Sequence, residues 1–451
     1  MTGVAEAGLH SYVAEIERAG AAWSGHEPSW LTRRREQASE RFQALGFPST
    51  SEEEWRFTNV APIARTGFTL PAEPHRSVAQ SFVTPFSLST LASAELVFVN
   101  GRYAAGLSIL RTLPRGIRVE PLASALVSHP DQVEPYLTCI AGFGRQAFTA
   151  LNTALFADGA FVHVPANVTL DAPIHVLFIS TGRGDEVPTM SHPRLLVVTG
   201  ESSHVPIIES YVGASDHASP RRDGVYFTNA VTEVIVGDNA SVEHYKLQQE
   251  TADASHIATM HVIGRRNARF QSHSLSFGGS LVRNDVIAVL DGEGIDCTLN
   301  GLYLADDRQL VDTHTTIDHA KPHCGSREIY KGILAGHARA VFNGKIIVRP
   351  DAQKTDAKQT NKALLLSEDA QINTKPQLEI FANDVKCTHG AAVGQMDDEA
   401  IFYLRARGLG RAEARNLLIH AFASDVLNRM PLEPLRTRAE AALLQQLPNE
   451  G

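Results

Sequence analysis

Cys387 and His389 are the residues best suited by type and spacing to do chemistry. They lie two apart in the segment Asp384 Val385 Lys386 Cys387 Thr388 His389 Gly390. In an extended chain, side chains two apart project from one face, so a thiolate and an imidazole can converge on a single metal atom. Sulfur and nitrogen donors suit iron, zinc and copper. Two ligands do not complete a site, and taken alone the pair reads more readily as a buried cysteine beside a hydrogen-bonded histidine. A second group, Asp312, His314, Asp318, His319, His323 and Cys324, is dense in potential ligands. Its spacing matches no zinc pattern, and in a loop-rich β protein such residues also build turns and hydrogen-bonded edges.

Other chemistries find no foothold. The four cysteines, Cys139, Cys297, Cys324 and Cys387, form no C-x-x-C pair, which argues against a disulfide framework, an ordinary structural zinc site and a local run holding a permanent iron–sulfur cluster. Neither a G-x-x-x-x-G-K-[ST] phosphate loop nor a strand-flanked G-x-G-x-x-G is present, and Gly278 Gly279 Ser280 reads as a turn. The G-x-S-x-G nucleophile elbow is also missing. Any cluster or metal chemistry therefore calls on histidine or on a second chain.

The elements that must position Cys387 and His389 change character along the chain. The first region is helical in pattern: Tyr12, Ile16 and Ala19 share a face, and Trp30 to Leu45 carries Leu31, Phe42 and Leu45 as its apolar positions before Gly46 and Pro48 end it. Ser51 with Glu54 has capping-box form, and Pro71 to Thr90 reads as a loop or linker. From about Leu151 the texture becomes short strands rich in Val, Ile, Thr and Phe, separated by Gly, Asn and Asp turns. A weak unit recurs there, a turn followed by a small residue and alternating strand: Asp238 Asn239 Ala240, Arg266 Asn267 Ala268, Glu293 Gly294 Ile295, Gly336 His337 Ala338 and Glu368 Asp369 Ala370. Spacings of roughly 25 to 45 residues favour a β-helix with loops of different length over a large β-sandwich. After Asp397 helix returns, with Ala414, Leu417, Leu418, Ala421, Phe422 and Val426 at helical spacing and Pro431 as a stop. The expected domains are a mainly helical region with linker over 1–150, a β-helix core over 151–395 and a helical region over 396–451.

With 451 residues the chain is long for one compact core, and 43% apolar residues are ordinary for a folded protein. A net charge near −9 gives no general footprint for nucleic acid. The N-terminal stretch mixes Glu6, His10, Glu15, Glu17 and Arg18 among its apolar residues, unlike a secretion signal, and no charge-free run is long enough to span a bilayer. A soluble, cytoplasmic protein that binds neither nucleic acid nor membrane is the expectation.

Several words in the C-terminal third then stand out together: Gly344 Lys345 Ile346, Gln359 Thr360 Asn361, Pro376 Gln377 Leu378 Glu379 Ile380, Asp384 to Gly390, and Phe402 Tyr403 Leu404 Arg405 Ala406 Arg407 Gly408. In this order they resemble the SufB/SufD family of iron–sulfur cluster assembly proteins. The resemblance continues upstream through His314 Thr315, His319 and Tyr330 Lys331 to Ala150 Leu151 Asn152 Thr153 and Glu53 Glu54 Trp55 Arg56 Phe57 Thr58. His389 Gly390 Ala391 follows the D-type pattern rather than the H-E-A-T word of the B-type scaffold. Asn361 and Tyr211 stand where the B-type carries cysteines.

The resemblance implies a right-handed parallel β-helix between helical termini, a scaffold and not a free-standing enzyme. It implies pairing with a B-type paralogue (SufB-like) through the β-helix and a C-type ABC ATPase (SufC-like) docked on the C-terminal helices. A homodimer is a further option. It implies His389 as a ligand for iron or a nascent cluster at the interface, with Cys387 the weaker candidate, thiolates coming chiefly from the partner and no cofactor held stably by the chain alone. Two other readings fit parts of the sequence: the B-type cluster scaffold itself, holding the cluster and a reduced flavin, and a β-helix polysaccharide-active enzyme, which predicts a secretion signal and paired carboxylates that are not evident.

Overall fold

The computed structural model describes residues 2–23, 25–71, 78–182, 188–214 and 224–446. From the strand Tyr226–Val236 onward, successive strands alternate between two sheets, and each pairs in parallel with the strand two places before it. This is a β-solenoid. Ser241, Arg269, Asp296, Gly325, Asp356 and Lys386 occupy one register position on successive turns. The repeat is thus tighter than the turn words alone suggest, because the loops vary by only a few residues.

The turn words mark the solenoid's corners. Asn239, Asn267, Gly294 and Gly336 all have positive φ, between 54° and 72°, and the small or apolar residue that follows each word, Ala240, Ala268, Ile295 and Ala338, is buried. Asparagine and glycine are the residues that tolerate this left-handed conformation, and it is what turns the chain into the next strand.

Helices cover the outer faces of both sheets over the earlier turns, so strands such as Tyr226–Val236 are buried on two sides, while Asp356–Leu365 keeps Lys358 and Lys362 exposed. Against the second sheet, which runs from Arg118–Pro121 to Gln371–Ile380, the helices Thr2–Trp23, Ser29–Leu45 and Ala147–Leu155 pack Tyr12, Phe42, Phe148 and Leu151 onto Phe227, Ile257 and Leu281. A fully buried ion pair fastens this layer: Arg194 Nη2 lies 2.6 Å from Glu233 Oε2, and Arg194 Nη1 donates to Asn152 Oδ1 at 2.9 Å. Glu233 also accepts from the backbone N–H groups of Thr138 and Ala141.

On the first sheet, the helices Arg411–Leu427 and Glu433–Gln446 pack Ile419, Ala423, Leu427, Leu435 and Leu443 onto Tyr245, Leu275, Leu302 and Ile333. The lumen between the sheets is filled by Phe178, Val234, Phe270, Leu299, Ile317 and Phe342.

Some local expectations change. The first sheet begins upstream of residue 151, since Ala94–Val99 pairs in parallel with Ile174–Thr181. Ser51 and Glu54 make no capping box; residues 53–55 form a single 3₁₀ turn, and it is Glu52 that accepts from Ser49 N–H. Leu45 and Leu417 are exposed, because the helices bury faces centred on Leu31, Ala38 and Phe42 and on Ile419, Ala423 and Val426.

Candidate functional site

The last strand, Lys386–Gln395, carries Cys387 and His389 and ends the first sheet. Its only partner strand among the described residues is Asp356–Leu365, with Ala357 opposite Cys387 and Gln359 opposite His389. Ala357 and Gln359 are buried in the lumen, and the residues below them, Ser326 and Glu328, are buried too. Cys387 and His389 therefore share the lumen-facing side of the strand, as extended geometry requires, at the solenoid's open mouth.

The two differ in environment. Cys387 is half-buried against Ile346, Val348, Ala357 and Ala382. Burial, with a smaller contribution from Asp356, pushes its thiol above the ordinary range and favours the protonated form. His389 is exposed and its ring has no partner among the described residues. It is free to take a ligand.

The rim of the mouth is apolar and unpaired. Ile380, Phe381 and Val393 are exposed, Phe381 at 62%. Such a bare edge, with open backbone donors and acceptors, is what natural sheets normally cover.

The group Asp312 to Cys324 is dispersed by the fold. Asp312 and His314 face outward from the second sheet, where residues 49–58 cross it. His314 sits 3.0 Å from Asp312 Oδ1 and 3.2 Å from Glu54 Oε2, and Arg283 Nη1 lies 2.8 Å from Asp312 Oδ2. Burial opposes a charge on His314, but the two carboxylates prevail and hold it up to about 9. Asp318 pairs with Arg349, His319 turns inward to Ser326 Oγ at 3.0 Å, His323 occupies a positive-φ corner and Cys324 is buried with its thiol toward Gly292 O. Among the described residues no group of three or more His, Cys, Asp or Glu side chains is arranged to hold a metal ion.

Sequence reasoning missed the polar interior. Midway along the lumen Lys246 Nζ lies 2.9 Å from His256 Nε2 and 2.6 Å from Asn284 Oδ1, with Glu209 beside it in register. Glu209 meets His244 at 3.0 Å, and Glu250 meets His256 at 2.7 Å. Burial lowers Lys246 to about 8, although Glu209 and Glu250 favour its charge. Nearer the mouth, burial pushes the Glu328 carboxyl up to about 7, and hydrogen bonds from the Thr315 hydroxyl and the Gln359 amide offset this only in part. No alternation pointed to it, because His204–Ala214 and Ser241–Gln249 are buried on both faces over most of their length.

Comparison with known proteins decides the family. Residues 178–422 match the family described as SUF system FeS cluster assembly, SufBD core domain, and residues 9–176 match the SufBD protein N-terminal region. The chain belongs to the SufBD family. It is 36% identical over 416 residues to an iron–sulfur cluster assembly SufBD family protein of Synechocystis sp., covering 92% of this chain and 91% of the relative. It is 32% identical over 423 residues to iron–sulfur cluster assembly protein SufD of Escherichia coli, covering 92% and 94%. SufD of Bacillus subtilis is 28% identical over 422 residues, covering 91% and 92%. The names agree with the D-type word His389 Gly390 Ala391. Within this SufBD chain, Asn361 and Tyr211, which replace the B-type cysteines, both lie in the lumen, Asn361 donating to Thr374 Oγ1 at 2.9 Å and Tyr211 bonding Glu209. Membership of the family displaces the polysaccharide-active alternative.

Proposed function

We propose that this SufBD chain is a non-catalytic scaffold subunit of a SUF-type iron–sulfur cluster assembly complex. The carrying observation is the mouth itself: His389 and Cys387 lie together on an edge strand whose backbone and apolar rim are left open. A B-type paralogue that continues the sheet at this edge covers the rim and brings thiolates to His389, the primary ligand for iron or a nascent cluster. Cys387 is the secondary ligand, since metal binding must first displace the proton that burial favours. The iron and cluster are cargo shared with the partner.

At the other surface, Phe402, Tyr403, Leu417 and Leu444 are exposed on the C-terminal helices and offer an apolar face to a C-type ABC ATPase. ATP hydrolysis by that partner biases the paired solenoids between open and closed arrangements. No helix among the described residues is long and apolar enough to cross a membrane, which accords with work in the cytoplasm.

The test is co-expression of the chain with B-type and C-type partners, wild type against His389→Ala, measuring complex formation, iron and labile sulfide. Intact assembly with loss of most bound iron and sulfide is expected. Unchanged content rejects the ligand role, and a wild-type chain that does not co-purify rejects the subunit reading.

A further inference from the structure

Side chains at matching register positions of a parallel β-helix stack in file along the lumen, about 4.8 Å apart from turn to turn. The file that ends in His389 runs down through Gln359 to Glu328. Both lower members are buried, Gln359 at 2% exposure and Glu328 at 1%. They are joined: Gln359 Nε2 donates to Glu328 Oε2 at 2.7 Å.

The opposite sheet leaves space for the amide in that orientation. Gly344 lies against it, and a Cβ at this position would stand 2.1 Å from Gln359 Nε2 and 2.6 Å from its Cδ. A larger residue there would push the amide away from its place beside Glu328. With Nε2 committed to Glu328, the remaining polar atom of the amide, Oε1, is buried and has no hydrogen-bond partner among the described residues. Leaving a buried acceptor unmet is unfavourable, so a position of this kind normally has a donor in some state of the molecule. The next side chain in the file is the unpartnered imidazole of His389.

We propose that Gln359 and Glu328 are positioning residues for His389. One ring N–H of His389 donates to Gln359 Oε1 when a partner closes the mouth, and this fixes the tautomer and presents the other ring nitrogen to iron. Glu328 holds the amide so that oxygen, and not nitrogen, faces the histidine. A histidine ligand commonly gives its second N–H to such an outer acceptor, which orients the ring and raises its basicity. The inference rests on the reading of His389 as a ligand.

The experiment uses the complex co-expressed with its B-type and C-type partners, labelled with 15N-histidine and loaded anaerobically with ferrous iron and sulfide. It reads iron affinity and the 15N hyperfine coupling of the reduced cluster by pulsed EPR. Gln359→Met, close to isosteric but without the amide, is expected to assemble normally, to lose 10- to 100-fold in iron affinity and to alter the coupling that His389→Ala abolishes. Glu328→Leu should do the same in milder form, and Glu328→Gln, which keeps an acceptor for the amide, should restore wild-type behaviour. If His389→Ala removes the coupling while Gln359→Met leaves coupling and affinity unchanged, the positioning role is overturned and the ligand role stands. If the coupling survives His389→Ala, the ligand role itself fails. Should Gln359→Met not assemble, the Glu328 pair decides: equal iron affinity in Glu328→Leu and Glu328→Gln overturns the proposal.

Discussion

His314 stands between Asp312 and Glu54 and carries its proton up to about 9, against an ordinary 6.5. A histidine raised in the folded state contributes stability that is complete below pH 6.5, declines as pH rises and is gone above about 9. The contribution is at most about 3 kcal/mol, because Glu54 is half exposed and part of its attraction is screened. Wild-type protein should therefore lose urea stability between pH 6.5 and 9, and His314→Gln should be weaker at pH 6 with that slope flattened. Equal slopes would show that the 49–58 crossing is held by other contacts. Lys246 makes a different case, since it is a buried cation serving two buried carboxylates, Glu209 and Glu250. Lys246→Met leaves both without it and should cost about 3 to 5 kcal/mol, read as a lowered urea midpoint. Adding Glu209→Gln to that variant should recover part of the loss. A single variant indistinguishable from wild type would mean that the carboxylates are neutralised in another way.

The turns of the solenoid interlock inside the lumen through two pairs of opposite size. Tyr303 lies beside Gly332 in register, and Gly301 lies beside Tyr330. A Cβ on Gly332 would meet the Tyr303 ring at 2.2 Å, and one on Gly301 would meet Tyr330 at 2.1 Å. Both rings are buried, so Gly332→Ala should cost about 1 to 3 kcal/mol through overpacking. Pairing it with Tyr303→Leu should give a double-mutant coupling energy, measured by thermal melting, and additive losses would refute the interlock. Such steric matching is invisible in sequence, where Gly301 and Gly332 read only as strand glycines. The corners, by contrast, were legible: Asn239, Asn267, Gly294 and Gly336 each announce a left-handed turn before a buried residue. So was the shared face of Cys387 and His389, which follows from spacing alone. The strand Ala94–Val99 and the Lys246 network were not legible, for one physical reason. Over the earlier turns helices cover both sheets, so strands such as Tyr226–Val236 are buried along their whole length, and alternation there no longer separates the lumen from the outside.

The whole molecule is a layered stack with one long axis, capped along its sides by helices and left open at the end that carries His389. Backbone geometry at that end makes the proposed pairing testable without touching the ligands. Lys386 N–H donates to Thr355 O. In a parallel strand, alternate residues turn their N–H and C=O to the same side, so Thr388, Gly390 and Ala392 address the preceding strand. Cys387, His389, Ala391 and Val393 then turn theirs to the open edge. Proline is tolerated on an edge strand where its missing N–H faces outward, and the same residue one position along breaks the chain's own ladder. Ala391→Pro should thus leave the isolated chain folded, with a melting temperature close to wild type, and abolish co-purification with a B-type partner. Ala392→Pro should lower the melting temperature of the chain itself. If Ala391→Pro co-purifies as wild type does, the partner is held by side chains around Phe381 and Val393 and the sheet is not continued across the interface.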